Sequence, residues 1–248
     1  MRRIAIAAVA VLAIVALATT TGCTRVRLTD DPNTRTTTDT KTVALGGATS
    51  VEAEIRMGVG DLRLSTEPTT TDALSARFEY APVSWKPTVD YSVSSGVGQL
   101  LVEQPNTTDV GVFRDTKNSW ELKLAGGVPT RLTLRLGVGS SKVDLRGLDL
   151  SSIDAVTGVG DTTIDLSGPR TKDLTGRIEA GVGRITVRLP RNVGVRFTGR
   201  QDGVGNFTAD GFTAEGTSWV NDAYSGSGPK IDIDFVRGVG DATLVLVD

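Results

Sequence analysis

The tripeptide Gly-Val-Gly recurs seven times, beginning at Gly58, Gly96, Gly137, Gly158, Gly181, Gly203 and Gly238, and nothing else constrains the fold of this 248-residue chain as strongly. The intervals are 38, 41, 21, 23, 22 and 35 residues, so three consecutive ones fall within 21 to 23. A near-constant period of that length marks a chain that lays down one supersecondary unit per repeat and stacks the units. Glycine on both sides of a valine suits a tight corner, because glycine reaches positive φ without a steric cost. The valine between is expected to point into the core.

Around the corners the apolar residues alternate, as a strand with one buried face requires. Ala53, Ile55 and Met57 share a face before one corner, as do Leu132, Leu134 and Leu136, and also Ile231, Ile233 and Phe235. After the corners come Leu62 and Leu64, Val143 and Leu145, Ile164 and Leu166, and then Ile185, Val187 and Leu189. The expected class is therefore all-β: a β-helix or β-roll-like stack of strands with Gly-Val-Gly corners, with a period of about 22 residues. Glycine-rich, aromatic-poor composition, with 29 glycines and 5% aromatics, agrees with such a chain. Stacked rungs about 4.8 Å apart predict an inward ladder of Val143, Ile164, Val187 and Ala209. They also predict outward ladders of Thr163, Thr186 and Thr208, and of Asp144, Asp165, Arg188 and Asp210. A meander or sandwich in which each Gly-Val-Gly is a hairpin loop gives the same alternation.

The N-terminus reads as an export signal. Arg2 and Arg3 precede an apolar run from Ile4 to Ala18, which is shorter than the ~20 residues of a membrane span, and small residues follow up to Gly22. Thr20-Thr21-Gly22-Cys23 resembles the lipobox of bacterial lipoproteins, which implies cleavage before Cys23 and lipid attachment to its thiol. Cleavage after Ala16-Leu17-Ala18 is the other reading, and it releases a soluble chain with a free thiol. Residues 1–22 are thus assigned as signal peptide and residues 23–42, rich in Thr and Asp, as a lipid-anchored polar tether. A diacylglyceryl group carries two chains, enough for stable attachment. The expected location is extracytoplasmic, anchored to the cell membrane.

Composition excludes much chemistry. The chain has no histidine and a single cysteine, so imidazole-dependent catalysis, a Cys cluster for metal and an intrachain disulfide are all ruled out. With 27 basic against 29 acidic residues and no basic stripe, nucleic acid is not an expected partner. Asp232 and Asp234, two apart on one strand, have the spacing of a carboxylate pair or a calcium ligand set, although they also fit the wet side of a half-buried strand. Asp61, Asp161 and Asp241, which follow corners, are expected to accept hydrogen bonds from backbone N–H groups of their own corners. Trp85, Trp120, Trp219, Tyr80, Tyr91 and Tyr224 are read as packing or capping rings, with a sugar-binding surface as the competing role. No catalytic, metal-binding or cofactor-binding residue is assigned, and no cofactor is expected.

The order of the motifs resembles the toast-rack family of bacterial envelope proteins, whose glycine-rich β repeats are similar to the C-terminal domain of LiaF-type cell-wall-antibiotic-response proteins. The resemblance rests on MGVGDLRL (Met57 to Leu64), ARFEYAPVSWKPTVDYSVSSGVGQLLVEQP (Ala76 to Pro105) and NSWELKL (Asn118 to Leu124). It continues in LRLGVGSSKVDL (Leu134 to Leu145), GVGDTTIDL (Gly158 to Leu166), GVGRITVRLP (Gly181 to Pro190) and WVNDAY (Trp219 to Tyr224). Residues 43–130 then form an N-terminal toast-rack-like β region and residues 131–248 a C-terminal Gly-Val-Gly repeat region. The resemblance implies a β scaffold in the cell envelope and carries no catalytic residue. The expected function is a non-enzymatic envelope lipoprotein acting as an interaction, adhesion or sensing scaffold for a cell-wall polymer or envelope protein. Two alternatives stand beside it: a carbohydrate-active or polysaccharide-binding protein using carboxylates from stacked rungs, and a structural protein that assembles through open ends.

Overall fold

The computed structural model describes residues 35–105, 116–199 and 203–248. Cys23 and the signal segment lie outside the described residues. In chain order the strands are β1 (Thr37–Ala44), β2 (Ser50–Val59), β3 (Asp61–Glu67), β4 (Asp72–Ala81), β5 (Thr88–Ser94), β6 (Val97–Glu103), β7 (Lys117–Ala125), β8 (Thr130–Val138), β9 (Ser141–Asp144) and β10 (Leu150–Val159). They continue as β11 (Thr162–Asp165), β12 (Leu174–Val182), β13 (Ile185–Pro190), β14 (Gly194–Thr198), β15 (Phe207–Asp210), β16 (Phe212–Glu215), β17 (Ser218–Asn221), β18 (Lys230–Val236) and β19 (Ala242–Val247). The described residues contain no α-helix.

Two mixed, mostly parallel sheets share one core. The nine-stranded sheet runs β1-β4-β7-β3-β9-β11-β13-β19-β15 and the ten-stranded sheet β16-β17-β14-β18-β12-β10-β8-β2-β6-β5. Inward residues of both, such as Ile55, Leu134, Ile178 and Phe235 from one sheet and Leu64, Ile164, Val187 and Leu244 from the other, belong to a single buried cluster. Strands of both the 43–130 and the 131–248 regions enter each sheet; β2, for example, pairs with β8.

A Gly-Val-Gly corner carries the chain from the ten-stranded to the nine-stranded sheet between β2 and β3, β8 and β9, β10 and β11, β12 and β13, and β18 and β19, while the motif at Gly203 precedes β15. The corners stack on one another through their backbones. Gly60 N–H donates to Val138 O at 2.8 Å, Gly139 N–H to Val159 O at 2.9 Å, Gly160 N–H to Val182 O at 2.8 Å, Gly183 N–H to Val239 O at 2.8 Å and Gly240 N–H to Val204 O at 2.6 Å. The two glycines serve different ends. The second has φ near +140°, as at Gly139 (φ 141), where a side chain is strained. The first has no positive φ, but a Cβ on Gly137 would overlap the Gly58 carbonyl of the rung beside it.

Thr37–Ala44 pairs with β4 as an edge strand, so the segment expected as tether over 23–42 is part of the sheet from Thr37 onward. Four further expectations need correction. The corner valines point outward: Val59, Val138, Val159, Val182, Val204 and Val239 are all exposed, because the core side of the corner is already filled by Met57, Leu62 and their equivalents. The motif at Gly96 is not a rung corner but a hairpin turn between antiparallel β5 and β6, with Ser95 (φ 51) and Gly96 (φ 80) both left-handed, as a tight two-residue hairpin demands. Rung order departs from chain order, since β18 and β19 insert between β12–β13 and β14–β15. Leu244 therefore separates Val187 from Ala209, Thr243 separates Thr186 from Thr208, and Val245 separates Arg188 from Asp210. The 22-residue interval between Gly181 and Gly203 thus joins rungs that are not neighbours. Lastly, Asp61, Asp161 and Asp241 cap the next rung rather than their own corner, accepting from the N–H groups of Ser140 (3.3 Å), Arg184 (3.2 Å) and Asn206 (3.2 Å).

A similar displacement occurs at the other end, where β6 and β7 lie outside β2 and β3. Among the described residues no corner stacks on Gly58-Val59-Gly60 there, and two side chains bond to it instead. Gln104 Oε1 accepts from the N–H groups of Gly58 and Val59 at 2.9 Å each, and Asn118 Nδ2 donates to Val59 O. The sequence offered no sign of this role for either residue.

Because the Cβ of an alanine at 139 would meet the Gly60 carbonyl oxygen and its φ would be unfavourable, Gly139→Ala is expected to cost about 3 kcal/mol or more. Val138→Ala, next to it and exposed, is expected to stay within about 0.5 kcal/mol of wild type. Urea titration of both variants measures the difference.

Candidate functional site

A groove of about 680 Å³ lies over the outer face of the ten-stranded sheet, where β5, β6, β2, β8 and β10 lie side by side. Alternation decides its lining. With Ala53, Ile55 and Leu132 turned inward, the residues between them must face out, and the pairing register sets them in rows. Gln99, Glu52 and Arg131 form one row, and Leu101, Glu54 and Thr133 the next. Asp90 lies opposite Leu101 on β5, and Asp154 opposite Thr133 on β10. A single-residue slip in any strand would turn its polar set into the core.

Arginines meet the carboxylates of this face. Arg135 grips Asp154 with two bonds, Nη2 to Oδ2 at 2.7 Å and Nη1 to Oδ1 at 3.1 Å. Arg56 pairs with Glu54 at 2.7 Å and with Glu103 at 3.3 Å, and Arg131 approaches Glu52 at 4.0 Å. The Arg135 guanidinium holds the Asp154 carboxyl below its ordinary range. A general acid in glycoside hydrolysis needs the opposite shift. Such a face presents fixed hydrogen-bond donors and acceptors beside Leu101 and Tyr91, and is suited to holding a polar ligand rather than to moving a proton.

Asp232 and Asp234 lie further along the same outer face. Asp232 accepts from Tyr224 Oη and Arg196 Nε, both at 2.8 Å, and Asp234 from Arg177 Nη1 at 2.9 Å. Each carboxylate thus has its own cation, and the two form the wet side of β18. Among the described residues, no three Asp, Glu, His or Cys side chains gather as a metal site.

The large rings pack and cap. Trp120 is fully buried, donates from Nε1 to Asn118 Oδ1 at 2.7 Å and meets Phe78 edge-on at 5.5 Å. Trp219 stacks at 4.6 Å on Phe207, where the nine-stranded sheet ends. Tyr91 donates to Leu45 O at 2.9 Å, and Tyr224 lies beneath the Arg196 and Lys230 cations at 4.9 and 5.0 Å. Trp85 is half-buried against the core. None of these rings forms an open stacking platform.

With this geometry in hand, the chain can be compared with known proteins. The family model for the N-terminal domain of toast_rack, DUF2154, matches residues 31–188. The chain belongs to the toast_rack family. That match runs from before β1 to the middle of β13, so it takes in the whole of the groove and four of the stacked corners. A solved structure of a candidate cell adhesion protein from Clostridium sporogenes is 30% identical to this toast_rack chain, covering 86% of it and 100% of that chain, with a TM-score of 0.80. Candidate adhesins from Bacteroides fragilis and Parabacteroides merdae match at 12% and 11% identity, covering 86% and 84% of this chain and 99% and 96% of theirs. Their TM-scores are 0.25. No curated protein matches the chain.

Burial, and then the hydrogen bond from Tyr80 Oη to Asp39 Oδ2 at 2.7 Å, push the Tyr80 hydroxyl up to about 12 from an ordinary 10.0. The folded state keeps a proton that the unfolded chain releases near pH 10. The stabilisation is therefore whole below about pH 10 and is lost as pH rises towards about 12. Chemical denaturation between those values is expected to show falling stability, with a shallower fall for Tyr80→Phe, which at neutral pH costs about 1 kcal/mol.

Proposed function

We propose that this toast_rack chain is a non-enzymatic cell-envelope lipoprotein whose β domain acts as an adhesion and recognition module, held to the membrane through Cys23 and the polar tether. Its ligand is a cell-wall polymer or an envelope protein. The observation that carries the reading is the outer groove of the ten-stranded sheet, a polar face on which Glu54, Glu52 and Asp154 are met by Arg56, Arg131 and Arg135. The Clostridium sporogenes relative supports it, since that candidate cell adhesion protein aligns along its whole length at 30% identity. The carbohydrate-active alternative finds little support: Asp154 is held down rather than up, and Asp232 and Asp234 are each paired with a cation. The self-assembly alternative finds less support because antiparallel strands end three of the four sheet edges, β1 and β4, β5, and β16 and β17, and the fourth edge, β15, is a strand of only four residues.

Two measurements test the parts separately. Palmitate labelling of growing cells is expected to mark the wild type and spare Cys23→Ala, and equal labelling of both contradicts the anchor. For the groove, the chain without its signal is incubated with isolated cell envelopes. Filling the groove with Thr133→Arg and Gln99→Arg, both on exposed strand faces, is expected to lower retention at least tenfold while leaving the thermal midpoint in place. Unchanged retention rules the groove out as the ligand face.

A further inference from the structure

Six of the most exposed large apolar residues are the corner valines, from Val59 at 45% to Val204 at 66%. The corner hydrogen bonds string them into one column in the order Val59, Val138, Val159, Val182, Val239, Val204. Their spacing is therefore that of the rungs, about 4.8 Å. Each valine is flanked by bare glycines, so no neighbouring side chain shields it. A contiguous apolar ridge of this kind marks a contact surface.

The column beside it on the nine-stranded side indicates what covers it. In spatial order that column reads Asp61, Ser140, Asp161, Arg184, Asp241, Asn206. We propose that the ridge is where two copies of this chain pair, antiparallel, about a two-fold axis crossing the column between the Asp161 and Arg184 rungs. That axis sets the same side of each copy against its counterpart in reversed order. Asp161 and Arg184 already pair within each chain at 3.5 Å, and the axis sets Asp161 of one copy against Arg184 of the other, so that the two pairs meet as an alternating square of charge. Ser140 faces Asp241, and Asp61 faces Asn206. Every carboxylate meets a cation or a hydrogen-bond donor, and no like charges meet, as a self-complementary isologous contact requires. The glycine gutters on either side of each ridge let the valines of the two copies interleave. An axis parallel to the column instead brings the ten-stranded side across: it sets Asp61 opposite Arg56 and Arg184 opposite Glu179, but leaves the carboxylates of Asp161 and Asp241 opposite the apolar Val156 and Val236.

Six half-exposed valines with one polar column fall short of the ~800 Å² per partner of a standard interface, so the pairing is weak and concentration-dependent. The inference stands apart from the groove and from the anchor, and its test uses neither. Residues 24–248 keep every strand and contain no cysteine. Sedimentation equilibrium of this chain is expected to show mass rising from monomer towards dimer through the hundred-micromolar range. Val159→Asp with Val182→Asp should remain monomeric with an unchanged thermal midpoint. Should that variant unfold, Arg184→Asp, which sets Asp against Asp161 both across the axis and within its own chain, is expected to weaken association at least tenfold with a thermal midpoint that shows the monomer still folded. Adding Asp161→Arg should restore it. Mixed oxidation fixes the direction: chains carrying Val159→Cys should cross-link to chains carrying Val182→Cys, and neither to its own kind. A wild type that stays monomeric to millimolar concentration overturns the proposal, as does association that survives both sets of changes. Cross-linking of like with like overturns the antiparallel axis.

Discussion

Everything in this fold hangs on the contact between one bare corner and the next. A backbone N–H from the second glycine reaches the valine carbonyl of the neighbouring rung, and it can do so only because neither glycine carries a Cβ. Close approach of the corners brings the strands on both sides into parallel register at the same time. The ten-stranded and nine-stranded sheets are thereby tied rung by rung, and their inward residues close over a single core. The corner geometry also fixes what must face out. With the core side taken by residues such as Met57 and Leu62, the valine has solvent as its only direction.

The ladder has to stop somewhere, and each end does so with different chemistry. Beyond the first corner, the Gln104 and Asn118 side chains supply the acceptor and donor that another corner would have offered. Beyond the last, Arg237 donates to Gly205 O at 3.0 Å and lies over the Phe207 ring at 5.1 Å. Antiparallel strands flank the outer rungs at three of the four sheet edges, and the remaining edge strand, β15, has only four residues, which keeps the edges from offering a long parallel template to other chains. At both ends the chain doubles back, so that β2 and β19, near the start and finish of the folded part, lie inside the stack.

Much of this was legible in the sequence, and the rest was hidden for identifiable reasons. Period-two alternation gave the strands and the buried faces correctly, from Ala53, Ile55 and Met57 to Ile185, Val187 and Leu189, because burial of one face writes itself directly into residue type. The corners at Gly137, Gly158 and Gly181 were readable for the same reason: two glycines at fixed offsets leave few backbone conformations. Rung order was not readable. Which rung stacks on β12–β13 is a long-range choice between β14–β15 and β18–β19, and both present suitable side chains in register. Valine direction was misjudged because apolar character alone does not say that the core side of a corner is already full. The groove was visible only as scattered polar residues, since Glu52, Gln99, Arg131 and Asp154 become neighbours through pairing register rather than spacing. Cys23 lies outside the described residues, and its role rests on the lipobox resemblance.

The order of the stacked corners is the central claim, and it can be tested by engineered disulfides in the cysteine-free chain of residues 24–248. Thr186 and Thr243 are paired directly on adjacent strands, whereas Thr186 and Thr208 are separated by the intervening strand. Adjacent parallel strands lie ~4.8 Å apart, within disulfide range, and the next-but-one strand at about twice that distance is beyond the ~7 Å limit. Air oxidation should therefore close Thr186→Cys with Thr243→Cys and leave Thr186→Cys with Thr208→Cys reduced. The reverse pattern would mean that the rungs stack in chain order and would contradict the account.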